Sequence, residues 1–214
     1  VKMVQRERDA QRETAVLKSQ QASKLEALVK ERTLALEQTN KALAELASKD
    51  SLTALSNRRT LDLFVDNSFE KHSQTDRTLA LALIDLDHFK RINDTFGHEV
   101  GDDVLKAIAS VLLPLNTPTQ LTARYGGEEF AIVRRFDPTA NTQQQTEAFA
   151  NELIVLHGRI NQLDIASLDD RKIGACIGWT LCKGSDDIVE AFRRADKALY
   201  VAKDKGRNLI VPAL

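Results

Sequence analysis

The sequence predicts an α/β (α+β) sandwich, a mixed central sheet flanked by helices, with one long helix in front of it. Three observations predict this. Residues 1 to about 49 contain neither Gly nor Pro and are rich in Ala, Leu, Glu, Lys, Arg and Gln, which are strong helix formers. Beyond Ser48-Lys49-Asp50, short apolar runs of strand length alternate with stretches of helical periodicity. Finally, Gly126-Gly127 joins two such runs directly, as a hairpin, so the sheet must mix strand directions.

The leading helix has a heptad pattern. With Val1 at position a, Ala15, Ala22, Val29, Leu36 and Leu43 follow at a, and only Arg8 interrupts them. The d positions are weaker: Val4, Leu25 and Leu46 alternate with Gln11, Lys18, Arg32 and Thr39. Leu28, Ala35 and Ala42 add a stripe at g. This imperfect seam predicts a parallel coiled coil of modest stability. Residues 1–49 are therefore read as a dimerisation and signalling helix, and 50–214 as the α/β domain.

Within that domain, helices are expected over 57–72, 98–113, 143–163 and 187–203. Strands are expected over 79–84, 121–125, 130–134, 172–181 and 209–211. Pro114 stops the second helix, and Gly206 lies just past the last.

Bulk composition narrows the function classes. Apolar residues are 43% of the 214 and charged ones 29%, enough for a packed core under a polar surface. Lys and Arg number 30 against 31 Asp and Glu, so no global field draws nucleic acid or anionic membrane. Cys176 and Cys182 lack zinc spacing and read as reduced core thiols. No apolar run is long enough to span a bilayer, and no signal peptide stands out. The expected setting is the cytoplasm, as part of a longer protein with a sensor or membrane segment upstream. His72, His88, His98 and His157 lack partners at metal spacing; His98 is expected to cap or pack. Trp179 and the Phe residues are expected in the core.

Two clusters carry chemistry. The run Ile84-Asp85-Leu86-Asp87-His88-Phe89-Lys90 is an apolar strand ending in acids. Asp85 and Asp87 are expected on opposite faces, one at a pocket and the other bracing the turn. The second cluster is Arg124-Tyr125-Gly126-Gly127-Glu128-Glu129-Phe130, two glycines followed by two acids at a hairpin. Acids there, facing the Asp85 strand, would offer oxygen ligands for Mg²⁺ (or Mn²⁺) carrying nucleotide phosphates.

These residues resemble the GGDEF family of diguanylate cyclases. Residues 84–102, IDLDHFKRINDTFGHEVGD, follow its first signature, and Gly126-Gly127-Glu128-Glu129-Phe130 is a form of its second. Asp50-Ser51-Leu52-Thr53 with Asn57-Arg58-Arg59 is similar to its opening motif. Ala195-Asp196-Lys197-Ala198-Leu199-Tyr200, with Ala202-Lys203 and Gly206-Arg207-Asn208, is similar to its closing motif. The resemblance covers residues 50 to about 211 and implies a palm fold like that of nucleotide cyclases and polymerases.

It further implies that two GTP molecules become cyclic di-GMP, with one GTP bound by each of two antiparallel domains. In that reading Asp85, the Leu86 carbonyl and Glu128 hold the metal with Glu129 close by, and Glu128 is the candidate base. Asn93 and Asp102 would read the guanine edge. Lys203, Arg207, Lys90 and the backbone amides at His88 and Phe89 would hold phosphates. Many relatives carry an inhibitory product site, Arg-x-x-Asp; Thr117-Pro118-Thr119-Gln120 replaces it, so no tight feedback through that site is expected. Ala54 stands where relatives often have Gly, and with Ser56 it is expected to lie away from the chemistry. The alternative is a catalytically silent module that binds GTP or a partner as a switch.

Overall fold

A computed structural model describes residues 24–26, 28–36, 38–39, 48–70, 78–169, 171–183 and 186–213. The chain divides into two units, residues 1–47 and 48–214. In the first, the described residues are helical, and Leu25, Leu28, Val29 and Leu36 of the heptad pattern are all exposed. The remaining heptad positions before residue 24 and after 39 lie outside the described residues.

The second unit is built on a six-stranded sheet. Its strands are β1 (Ser56–Asn57), β2 (Thr78–Leu86), β3 (Gln120–Arg124), β4 (Glu129–Arg135), β5 (Ala175–Lys183) and β6 (Ile210–Ala213). Their order is β1-β3-β4-β2-β5-β6. The inner pairs β3–β4, β4–β2 and β2–β5 are antiparallel, and the outer pairs β1–β3 and β5–β6 are parallel. The helices are α1 (Arg58–Glu70), α2 (Phe89–Phe96), α3 (His98–Leu112), α4 (Thr142–Asn161) and α5 (Ile188–Asp204). Two split βαβ units result, β2-α2-α3-β3 and β4-α4-β5, each crossing over a strand that the other supplies.

The central strand explains the layering. All nine residues of β2 are buried, so TLALALIDL reads as a continuous apolar run. Alternation sends Leu79, Leu81 and Leu83 to one face, where they meet Leu61 and Val65 of α1 and Ala195 and Leu199 of α5. Ala80, Ala82, Ile84 and Leu86 face the other way, toward Val104 and Ile108 of α3 and Phe149 and Leu153 of α4. Truncating one of these buried leucines to Ala costs about 2–5 kcal/mol. On the first face α5 approaches closely: a Cβ on Gly178 would lie 2.2 Å from the Ala195 carbonyl oxygen and the Leu199 amide nitrogen.

The expected elements are present within a few residues of their predicted ends. Additional elements are the short β1, two single-turn 3-10 helices (Leu113–Leu115 and Ala166–Leu168), and α2, which fills the gap between the Asp85 strand and the helix expected at 98. Asn57 caps α1 by accepting from the Thr60 N–H at 3.0 Å. His98 does not cap; it is the exposed first residue of α3, which follows Gly97 with no side-chain cap. Trp179 and Phe149 pack edge to face in the core at 5.8 Å, and Cys176 and Cys182 are buried free thiols.

Candidate active site

The site begins where β2 runs out of apolar residues. Asp85 is 8% exposed, opposite Glu129 of β4 on one side and Cys176 of β5 on the other. A carboxylate this buried requires a partner, and Lys203 in the last turn of α5 supplies one, its Nζ 2.8 Å from Asp85 Oδ2. Burial alone would lower the Lys203 pKa. The hydrogen bond and charge of Asp85, aided by Glu129, more than offset this and hold the ammonium above its ordinary value.

Glu128 sits in the β3–β4 turn, half-buried. Its carboxyl is raised above the usual range, first by burial and then by the negative charges of Asp85 and Glu129, with Lys203 opposing. Carboxylates gathered closely enough to disfavour each other's ionisation call for positive charge. Among the described residues no group of three or more His, Cys, Asp or Glu side chains forms a metal cage. Leu86 is buried in the core, so only its backbone carbonyl could serve as a ligand.

Asp87 corrects the expectation of opposite faces. Positions two apart along a strand share a face, and here Leu86 takes the other one with the α3–α4 core. The division of labour is still present, because Asp87 braces. Its Oδ1 accepts from the Cys176 thiol at 3.1 Å and its Oδ2 from the Asn208 N–H at 2.8 Å. Burial, then the Asp87 hydrogen bond and charge, push the Cys176 thiol up to about 11. Asp87 thus ties the end of β2 to the loop carrying Arg207.

On the far side of α2, Asn93 lies against the Gly101-Asp102 step. A Cβ on Gly101 would come within 1.9 Å of Asn93 Oδ1, so a larger residue there would displace the Asn93 amide. That Oδ1 is buried and has no hydrogen-bond partner. Buried polar atoms are rarely left so, and the neighbouring Asp102 is exposed. The Phe89 side chain, by contrast, is core, 6% exposed. Its possible contribution to a ligand is its backbone N–H, one of those at a helix start without an intrahelical partner. His88, Lys90 and Arg207 are exposed around the same strand end.

The sequence reading missed what holds the Gly126-Gly127 turn. Arg124 donates from Nε and Nη2 to the Gly127 carbonyl at 3.1 and 2.8 Å. Its Nη1 meets both Asp50 oxygens at 3.2 and 3.3 Å. Asp50 in turn accepts from the Thr53 N–H and hydroxyl at 2.9 and 2.6 Å. The opening motif therefore buttresses the turn that carries Glu128. The Asp-x-x-Thr spacing, a self-capping turn, was the available signal.

At the opposite end of the same hairpin, Thr117 and Gln120 exchange backbone hydrogen bonds at 2.9 and 3.2 Å. Gln120 is 2% exposed. Its Nε2 donates to Leu115 O at 3.0 Å and Glu152 Oε1 at 2.6 Å, while its Oε1 accepts from Arg134 Nε. Arg134 closes the circuit on Glu152.

The domain thus combines two split βαβ units with acids at adjoining strand ends and a lysine and an arginine on the closing helix and loop. Comparison with known proteins makes the class specific. The family described as "Diguanylate cyclase, GGDEF domain" matches residues 47–209. Response regulator PleD of Caulobacter vibrioides is 35% identical over 173 residues, 78% of this chain but 36% of PleD. The coiled coil and GGDEF domain of DgcB from Caulobacter crescentus, solved with c-di-GMP, superposes with TM-score 0.73 at 30% identity, covering 88% of this chain and 98% of that one. The active GGEEF domain of a Vibrio cholerae diguanylate cyclase gives TM-score 0.61 at 32% identity over 75% of this chain and 98% of its own. The chain belongs to the GGDEF-domain diguanylate cyclase family. It spans about a third of the curated relative's length. Among the described residues no helix is long and apolar enough to cross a membrane.

Proposed function

We propose that this chain condenses two GTP molecules into cyclic di-GMP and two pyrophosphates, working in the cytoplasm as a homodimer through its leading helix. The observation that carries this is Asp85 and Glu129 in register on adjacent strands, with Glu128 raised first by burial and then by their charges, and Lys203 bound to Asp85. Such a cluster is costly unless a ligand uses it.

In this reading Asp85, the Leu86 carbonyl and Glu128, with Glu129 adjacent, hold Mg²⁺ or Mn²⁺. Bound there, the ion would supply charge stabilisation at the α-phosphate and lower the pKa of the attacking hydroxyl. The protein's own groups do the positioning. Asn93 Oδ1 and the Asp102 carboxylate accept from guanine N1 and N2 donors, a pair that adenine lacks. Lys203, Arg207 and Lys90, with the amides of His88 and Phe89, hold the β- and γ-phosphates. The 3′-oxygen forms its bond to the α-phosphorus, the bridge to the β-phosphate breaks, and the hydroxyl proton leaves toward Glu128.

One domain holds one GTP, so both new bonds need a second domain facing the first. The exposed stripe Leu25, Leu28, Val29 and Leu36 supports pairing through the helix, whose packing would set the facing geometry. An upstream sensor would act through that packing. Gln120 is fully engaged and an acid, Glu152, stands beside it, which supports the expectation of no tight feedback by a dianionic product through the Thr117–Gln120 segment.

Incubation with GTP and Mg²⁺ tests this directly. The expected result is cyclic di-GMP from the native chain and none from Glu128→Ala. Product that survives the substitution would refute the assigned site. A verified dimer that makes no product would instead mark the chain as a silent GTP-binding switch.

A further inference from the structure

Behind α2, on the face away from Asn93, lies an open cavity of about 840 Å³. It is lined by Arg91 of α2, by Arg171 and Lys172 before β5, and by Arg207 after α5. Three separate stretches of chain thus deliver four cations to one space. None of the four forms an ion pair among the described residues. Among the described residues the carboxylate in the lining is Asp87, which accepts hydrogen bonds at both oxygens, from Cys176 and Asn208. Arg171 lies 4.7 Å above the Phe96 ring, which steadies its guanidinium without neutralising it.

Backbone conformation marks the same place. The left-handed non-glycine residues among those described are Ala54, His88, Asp169, Arg207 and Asn208. His88, Arg207 and Asn208 all line this cavity. Such conformations cost free energy and gather where a site needs them. His88 in the left-handed region, followed by the helical Phe89, makes the N–H groups that follow Asp87 converge as an anion-binding concavity.

We infer that this cavity receives inorganic pyrophosphate as it leaves the reaction, with Arg91, Arg171 and Lys172 extending the cradle past Arg207. The inference rests on the proposed cyclase reading. When the 3′-oxygen bonds the α-phosphorus, the bridging oxygen leaves with its electron pair on pyrophosphate, which then carries the released negative charge. Arg207 belongs to both spaces, so the departing anion moves from the substrate cradle to the next unpaired cations. The cavity is larger than pyrophosphate and open to water, and its cations are exposed. It therefore holds the anion loosely, with its hydration, and binding weakens as salt rises. A site that clears a product needs weak retention.

Calorimetric titration with sodium pyrophosphate in Mg²⁺ and no nucleotide reads the site without turnover. We expect the double variant Arg171→Gln/Lys172→Gln to weaken pyrophosphate about tenfold, with Arg91→Gln weakening it less. Pyrophosphate inhibition of cyclic di-GMP synthesis weakens in parallel, while the KM for GTP stays within about twofold. All three side chains are exposed, and an unchanged melting midpoint confirms folding. Unaltered pyrophosphate affinity in both variants would overturn the inference, as would a KM for GTP that rises as far as the pyrophosphate constant. If the native chain makes no cyclic di-GMP yet the variants still lose pyrophosphate, the cyclase reading falls and the anion site stands. Normal synthesis with unaltered pyrophosphate affinity would mean the reverse: the cyclase reading stands and the anion site falls.

Discussion

The two ends of the β3–β4 hairpin carry polar clusters of opposite character. At one end Gln120, Arg134 and Glu152 close on themselves, with Gln120 Nε2 and Arg134 Nε and Nη2 all meeting acceptors inside the protein. At the other, burial and the charges of Asp85 and Glu129 raise Glu128, Lys203 binds Asp85, and on α2 the Asn93 Oδ1 is buried without a partner. Both are partly buried and both join strand to helix. What separates them is completeness. A satisfied network holds the fold, whereas an unsatisfied one states what a ligand must bring.

Substitutions can break this contrast. The largest effect is expected from Asp85→Asn, which keeps the shape and removes the charge. Cyclic di-GMP synthesis should fall about a thousandfold with little change in melting midpoint, since Lys203 is exposed enough for water to take over. Retained activity, or a large loss of stability, would remove the distinction. Glu152→Ala should do the opposite. Arg134 and Gln120 lose a shared acceptor, costing about 1–3 kcal/mol in denaturant unfolding, while synthesis stays within about twofold.

A pH series sharpens the reading of the buttress. Burial pushes the Asp50 carboxyl up, but the Thr53 hydrogen bonds and then Arg124 hold it below its ordinary value overall. A depressed carboxylate contributes stability above its unfolded pKa and loses it as pH falls through the folded value. Thermal melts of the native chain and Asp50→Asn should therefore differ most at neutral pH and converge below about pH 4. A constant gap would show that the charge does not matter. The smallest effect is expected at Ala54, whose φ of 58° is left-handed. Ala54→Gly should raise unfolding stability by about 0.5–1 kcal/mol, because glycine meets no steric penalty there. No gain in chemical denaturation would mean that the turn relaxes around alanine.

How much was legible follows from the kind of signal. The β2 run, the helix periodicities and the two signature clusters are local, and each is visible in consecutive residues. α2 was not read from the pattern because its eight residues are mostly polar, and Phe89 is its one buried residue. The Asp50–Arg124 bond joins residues 74 apart, and Asp87–Asn208 joins residues 121 apart. No periodicity announces such pairs.

By itself, the sequence determined the elements, the family and the residues that could do chemistry, because hydrophobic period and motif chemistry are properties of neighbours along the chain. Only the tertiary structure decided that Asp85 pairs with Lys203, that Asp87 braces the end of β2 against Cys176 and Asn208, and that Arg124 fixes the signature turn. It also decided that the cations behind α2 share a cavity. Those outcomes depend on which strands lie side by side, and the sheet order β1-β3-β4-β2-β5-β6 is set by packing the whole domain at once.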